Sequence, residues 1–495
     1  MKDKNKLLLV NALIFLFFIV FFTTIMPLVP FDGDDWNFTG IMRVLPIPIW
    51  GAWNPTRVLP EVLSPLLGYI AAFVVYPLIG NYVFAISLVR AICVAFFCTL
   101  FLYFFFKMVR QRLSLSFNRA LVGELFLFIS CFLFCKHIDQ PSYSAFWTMD
   151  FDCTLFYLVP GLLNGILLFY MLRTSKFVNY FSNISDFKKG IFWVSLYFAI
   201  FSSSQFNIIL AIFSIWQIVK EFNTHNSVFE QTFRQSYIYV AILFGWIITI
   251  IFDIKGGRSA SLSGAMTIKQ LLTSTLHDLS IFWAEMNHNY VALAVIIVIT
   301  TLWAVFHTNN SNGYQFSDLV IFSVFGFCVS FAYLIFAYLK AGSFYITRID
   351  AMWPSIFFFN LSFCISLLFW VDNFSLVRVV SPLILVCGSF IAFNFNYQPI
   401  QANLGNHDAR SIYTLDNYII NRITQADRNG KKTLTVAVPY NGKNSPKIGT
   451  SNWPHSYDMA NELSNTLYIH HMTQKKMKVK FKPDRRINKQ FYDRY

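Results

Sequence analysis

Three carboxylates fall within four residues at Asp32-Gly33-Asp34-Asp35, between Phe31 and Trp36. A carboxylate within hydrogen-bond reach of a hydroxyl can serve as a general base, and adjacent acids raise one another's pKa toward a working pH. A solvated acidic loop is the plain alternative. Cations suited to a phosphate oxygen lie further along. Arg57 precedes Glu61 by four positions, and Pro60 between them requires a first-turn placement if the two share a helix. Arg90 stands inside an apolar run, where a charge is costly and either snorkels outward or meets a ligand. Lys255, Arg258 and Arg348 sit in polar segments beside apolar ones. Arg348 has the bidentate geometry that suits phosphate, and Asp350 two residues on offers a competing intraloop pair. Trp36, Trp50 and Trp53 are aromatic faces on which a sugar ring could stack.

The elements that must position these groups belong to a membrane. The chain has 495 residues, 56% hydrophobic, 19% aromatic (57 of them Phe) and 13% charged, about half the charge of a soluble globule. Residues 7–29 carry no charge and are long enough to cross a hydrocarbon core of roughly 30 Å at about 1.5 Å per residue. Lys2, Lys4 and Lys6 precede this span and place its start in the cytoplasm. No small-residue cleavage site follows it before Pro27, so it reads as a retained helix. The next clear span, 83–106, ends in Lys107, Arg110, Arg112 and Arg119, a second cytoplasmic cluster. Residues 30–82 are then a long outer loop. Within it, 66–79 is apolar but Pro-bounded and short for a crossing, as an interfacial or re-entrant helix would be. Counting the polar notch at Ser202-Ser203-Ser204-Gln205 as the meeting of two short helices gives about eleven crossings and an outer C-terminus.

The fold expected is an all-α polytopic membrane protein over residues 1–395, with a small extracytoplasmic α/β or irregular C-terminal domain over 396–495. Within that domain Asn417 to Arg428 reads as a helix stopped by Gly430, and residues 433–440 alternate like a strand. The formal charge of +14 is spread over loops and tail, which fits anionic lipid and topology rather than nucleic acid. The eight cysteines lie in or beside apolar runs and make no disulfide framework. Neither a phosphate-cradling P-loop nor a dinucleotide glycine fingerprint occurs, and His277 and His288 match no zinc spacing. No cofactor is required by these residues; the paired acids leave a divalent cation open.

Transfer of a sugar from a lipid phosphate needs one base and cationic phosphate ligands, since phosphate leaves as a stable anion. The layout of a first span, an acidic outer-loop motif, a surface helix and roughly ten further spans resembles the C-type membrane glycosyltransferases. Asp34-Asp35 stands where that superfamily's paired-acid motif would stand, and Trp53 to Glu61 looks like its aromatic, Arg-bearing segment. With its basic outer tail the whole looks like the bacteriophage-type serotype-converting O-antigen glucosyltransferases. The resemblance implies a bacterial inner-membrane enzyme with its active site and C-terminus in the periplasm. It would move a hexose, glucose by the resemblance, from a polyprenyl-phosphate donor to a glycan acceptor such as lipopolysaccharide O-antigen. Asp34 would be the base and Asp35 its support. Arg348, Arg90 or Arg258 would hold the phosphate, and Asp32, Trp36, Trp53, Arg57 and Glu61 would line the substrate. The rival readings are a lipid-linked glycan flippase, for which Arg90 and Glu124 are the intramembrane ionisable groups, and an O-antigen polymerase.

Overall fold

The computed structural model describes residues 2–41, 56–135, 144–148, 150–224, 229–255, 268–307, 311–392, 409–439 and 459–491. Trp50, Trp53 and Arg258 lie outside them. Eight helices among the described residues are long and apolar enough to cross a membrane: Asp3–Ile25, Val58–Ile79, Tyr82–Arg112, Thr154–Leu172, Arg234–Ile254, His288–His307, Tyr314–Leu339 and Trp353–Asn373. The chain is therefore an all-α polytopic membrane protein. Shorter helices, Phe117–Leu133, Asp186–Ile200, Ile208–Thr224 and Ser375–Ala392, run beside them. Where the helices meet, Phe rings interlock edge to face and tilted, as in the Phe101, Phe169, Phe357 and Trp353 cluster.

Polar contacts sort the helix ends into two groups. At one end Asp3 meets Arg110, Asp318 meets both Arg112 and Lys220, and Asp372 meets Arg119. This is the basic end. At the other, Thr56 donates to Asp253 at 2.8 Å, Asn81 to Asn417 at 3.2 Å, and Asn287 N to Phe134 O at 2.9 Å. The acidic loop residues gather here, so this is the acid end.

One long helix joins the acid end to itself. Val58–Ile79 starts where Val58 N donates to Phe201 O at 2.8 Å, and it stops at Gly80, whose φ of 76° breaks the helix. Asn81 then caps Tyr82–Arg112 at the same end. Length and hydropathy would let Val58–Ile79 cross, while both its ends connect to residues of the acid end. It is longer than the 66–79 stretch read from sequence, because Pro60 sits in its first turn, where a missing N–H costs nothing. Val58, Glu61, Ser64, Pro65, Gly68 and Ala71 face inward, while Leu66, Phe73, Val74 and Leu78 are exposed. That spacing is the period of a half-buried helix.

Three helices contain one wide turn each, Phe21–Ile25, Ala71–Val75 and Thr154–Leu158. Each ends just before a proline: Pro27, Pro77 and Pro160. A proline inside a helix withdraws the bond to the carbonyl four residues back and its ring presses on that carbonyl. Here those carbonyls belong to Thr23, Phe73 and Phe156, all inside the wide turns. The residue before each proline donates five residues back, from Met26 to Phe21, Tyr76 to Ala71 and Val159 to Thr154. At Pro77 and Pro160 the widened turn relieves the clash and the helix continues, whereas the first helix ends at Ile25, ahead of Pro27. All three support acid-end residues.

The polar notch at 201–207 is covered by protein. Asn207 Nδ2 donates to Ile200 O at 2.8 Å and to Thr249 Oγ1 at 2.9 Å, which satisfies the broken backbone. In the tail, Ala409–Arg428 ends before Gly430 at φ 71°, and the strands Thr433–Val438 and Lys478–Pro483 pair in parallel around the helix Met459–Ile469. The helix ends at Arg428 as read from sequence but begins eight residues before Asn417, and the first strand starts at Thr433 as read and ends at Val438. The second strand was hidden by its lysines.

Candidate active site

The acidic knot folds as a capped helix, Gly33–Gly40. Asp32 is its N-cap, accepting from Asp35 N at 3.0 Å, and Asp35 reaches back to Asp32 N at 3.4 Å. Carboxylates at these positions satisfy orphan N–H groups and oppose the positive end of the helix dipole. Asp35 also accepts from Phe31 N at 2.9 Å and, through its other oxygen, from Asp152 N at 2.8 Å. Asp32 and Asp35 are buried by this arrangement, and Asp34 between them is exposed. Among the described residues no hydrogen bond or ion pair holds the Asp34 side chain. The pair thus divides its duties: Asp35 braces the loop and Asp34 faces solvent.

Two further acids join the cluster from a second loop. Asp150 accepts from Cys153 N at 2.7 Å, and the Asp152 backbone is the donor to Asp35. Sequence reasoning missed both. The available signal was the spacing Asp150-Phe151-Asp152 just ahead of the span Thr154–Leu172, a second acidic motif in the same relation to a span end as the first. Burial pushes the Asp32 carboxyl up to about 8, helped by the Asp150 charge and opposed by the Asp35 N–H. Burial likewise raises Asp35, with Asp32 and Asp150 adding to it, and Asp152, with Asp150 adding and Arg90 opposing. Asp150 is raised by burial against the pull of Cys153 and Arg348. Such a cluster favours the protonated form of its buried carboxyls.

The cations are held in different ways. Arg90 lies about two turns inside Tyr82–Arg112 and does not snorkel. Its guanidinium donates to Ser64 Oγ at 2.9 Å and to Phe151 O and Thr154 Oγ1 at 3.3 Å, with the Phe151 ring 4.1 Å away. It ties the surface helix to the second acidic loop. Arg57 caps Val58–Ile70, is half-buried, and lies 4.5 Å from the centroid of the Phe156 ring. Its charge reaches Asp152. Glu61 is buried one turn on. Arg348 donates twice to Asp350, at 3.0 and 2.8 Å, and to Cys153 Sγ at 3.2 Å. Its fork is engaged by Asp350, so the intraloop pair is realised and the phosphate reading of Arg348 is corrected. Trp36 is corrected likewise: its ring is fully buried, 6.3 Å from Tyr82, and offers no open face to a sugar.

The tail closes the far side of the acidic helix. Thr466 Oγ1 donates to Trp36 O at 2.6 Å, and Tyr82 OH shares a hydrogen bond with His470 Nδ1. Two glycines permit the approach. A Cβ on Gly40 would lie 2.2 Å from Thr466 Oγ1, and one on Gly68 would lie 2.1 Å from Thr39 O. The site thus gathers Asp32, Asp34, Asp35, Asp150, Asp152, Arg57 and Arg90. Among the described residues no group of three or more His, Cys, Asp or Glu side chains is arranged to hold a metal ion. Comparison with protein-family models, with curated proteins and with solved structures finds no match.

Proposed function

We propose that the chain is an inverting glycosyltransferase that takes a hexose from a polyprenyl-phosphate donor and passes it to a glycan acceptor. The observation that carries this reading is the exposed, unengaged Asp34 carboxylate, set in a buried acid cluster beside a half-buried surface helix. In the reaction Asp34 removes the proton of an acceptor hydroxyl. That oxygen attacks the anomeric carbon opposite the phosphate, the sugar–phosphate bond breaks, and the lipid phosphate departs as an anion. Asp34 then gives its proton to water. Arg57, half-exposed, supplies positive charge toward the departing phosphate, and the buried Arg90, engaged by Ser64, Phe151 and Thr154, holds the acidic loop in place behind it.

Eleven crossings follow if Val58–Ile79 lies on the surface: the seven other long apolar helices and the four shorter ones. An odd count puts the amino terminus and the tail on opposite sides. The basic end would face the cytoplasm and the acid end the periplasm, by the excess of Lys and Arg at the former. A bacterial inner membrane and an O-antigen acceptor fit that orientation.

The test is transfer of radiolabelled hexose from a panel of polyprenyl-phosphate donors to lipopolysaccharide by the purified chain. Asp34→Asn should lower transfer by on the order of 10²–10⁴-fold with protein abundance intact. Full activity in Asp34→Asn would sink the reading. Flipping of a lipid-linked glycan is the second reading, and Glu124 favours it: the side chain is buried in Phe117–Leu133, with neither carboxyl oxygen hydrogen-bonded among the described residues. Oriented vesicles separate the two, because only a transferase makes a new glycosidic bond.

A further inference from the structure

The strand Lys478–Pro483 alternates in exposure from Lys478 to Lys482, with Phe481 half-buried. Val479 is buried, while Lys478, Lys480 and Lys482 are exposed on one face, opposite Thr433, Thr435 and Ala437 of the paired strand. Successive lysines on that face stand about 7 Å apart, twice the rise per residue. Lys475 and Lys476 lead into the row and are exposed too, and Lys478 N bonds to Lys432 O at 3.0 Å, which brings another exposed lysine alongside. Among the described residues no carboxylate forms an ion pair with any of these amines. A row of like charges this dense repels itself, and an anionic surface laid against it would relieve that repulsion.

The surface helix says what covers it. Phe73 and His471 meet with ring centroids 5.5 Å apart, and Phe73 and Tyr69 both touch His470. His471 turns the chain at φ 56°, and the lysines begin four residues later. The lysine segment therefore follows within a few residues of His470 and His471, which touch the helix whose Leu66, Phe73, Val74 and Leu78 are exposed. An apolar stripe bordered by lysines is the pattern of a surface that enters the boundary between lipid tails and headgroups. A glycan-binding face would not need the stripe.

We propose that Lys475, Lys476, Lys478, Lys480 and Lys482 dock the tail onto the anionic phosphate headgroups of the bilayer leaflet at the acid end. The inference goes beyond the transferase reading and does not depend on it. The two fail separately: a chain that transfers no sugar can still dock its tail.

The full chain, placed in nanodiscs of phosphatidylcholine alone or of phosphatidylcholine with phosphatidylglycerol, is labelled with an amine-acylating reagent, and each lysine is read by mass spectrometry. Labelling of these five amines should slow about fivefold or more in the anionic discs, the factor corresponding to about 1 kcal/mol per lysine at such a surface. High salt should erase the difference. In the triple variant K478Q, K480Q, K482Q, whose changes are all on exposed side chains, Lys475 and Lys476 should lose most of that protection. Equal labelling in both discs overturns the proposal. Slowing seen only when a soluble anionic polysaccharide is added to neutral discs also overturns it, and assigns the row to a glycan.

Discussion

Arg348 and Asp350 form the most enclosed ion pair at the acid end, with side chains 11% and 1% exposed. Replacing Arg348 by Met removes two charge-assisted hydrogen bonds and leaves the Asp350 carboxylate in a site built for a partner. Breaking a buried pair on one side costs about 3–5 kcal/mol, and most of that is the stranded charge rather than the lost attraction. The companion change Asp350→Leu should cost less, because the guanidinium would keep its Cys153 contact, the Tyr157 and Tyr345 rings and the attraction of Asp150. Combining both changes removes both charges, so the double variant should regain most of the loss and end within about 2 kcal/mol of the parent. Equilibrium unfolding of the full chain in mixed micelles, titrated with sodium dodecyl sulfate, measures all four corners of this cycle. Transfer activity per folded molecule gives the second reading. A double variant that is stable and active makes Arg348 a brace. Arg348→Met with parental stability would refute the reasoning, because the guanidinium would then not be committed to Asp350.

Three other outcomes follow from the same geometry. Asp32 has its folded pKa raised to about 8 from an ordinary value near 3.8. The folded chain therefore holds a proton there that the unfolded chain has lost, and stability should fall as pH rises from about 4 to about 8, by at most roughly 1.4 kcal/mol per unit. Asp32→Asn keeps the cap and should flatten that slope in a pH series of unfolding titrations; an unchanged slope would assign the proton elsewhere. His470 is shifted the other way, to about 4, by burial and by His471. The tail contact it makes should weaken as pH falls from about 6.5 toward 4, seen as faster amide exchange in Met459–Ile469, and His470→Gln should remove that response. Gly68→Ala would drive a methyl against the Thr39 carbonyl, a backbone atom that cannot swing aside. Stability should drop by about 1–3 kcal/mol and transfer should fall with it, whereas Gly190→Ala, which meets nothing within 4 Å in the helix Asp186–Ile200, should gain up to about 1 kcal/mol and leave transfer unchanged.

What could be read from sequence was local. The uncharged first span, the polar notch at residues 202–205, the helix before Gly430 and the strand from Thr433 all follow from period, caps and breakers. The acidic knot stood out for the same reason, and its capping box is spelled by Asp32 and Asp35 three apart. What could not be read depends on contacts through space. Asp150 and Asp152 look like ordinary loop acids until the backbone of one is found bonded to Asp35, 117 positions away. Trp36 looked like an open platform because nothing in its neighbourhood of sequence announces Tyr82 above it. The strand Lys478–Pro483 was obscured because lysine-rich alternation resembles a solvated tail, and only its parallel partner gives it a buried side.

The bond between Thr466 and the Trp36 carbonyl joins positions 430 apart. Most of the described helices lie between the acidic helix and this last clamp, so the bond can form only once they have been made. A half-made or stalled chain therefore holds Gly33–Gly40 without that bond, and the segment should be cut by added protease in truncated chains and resist it in the full one.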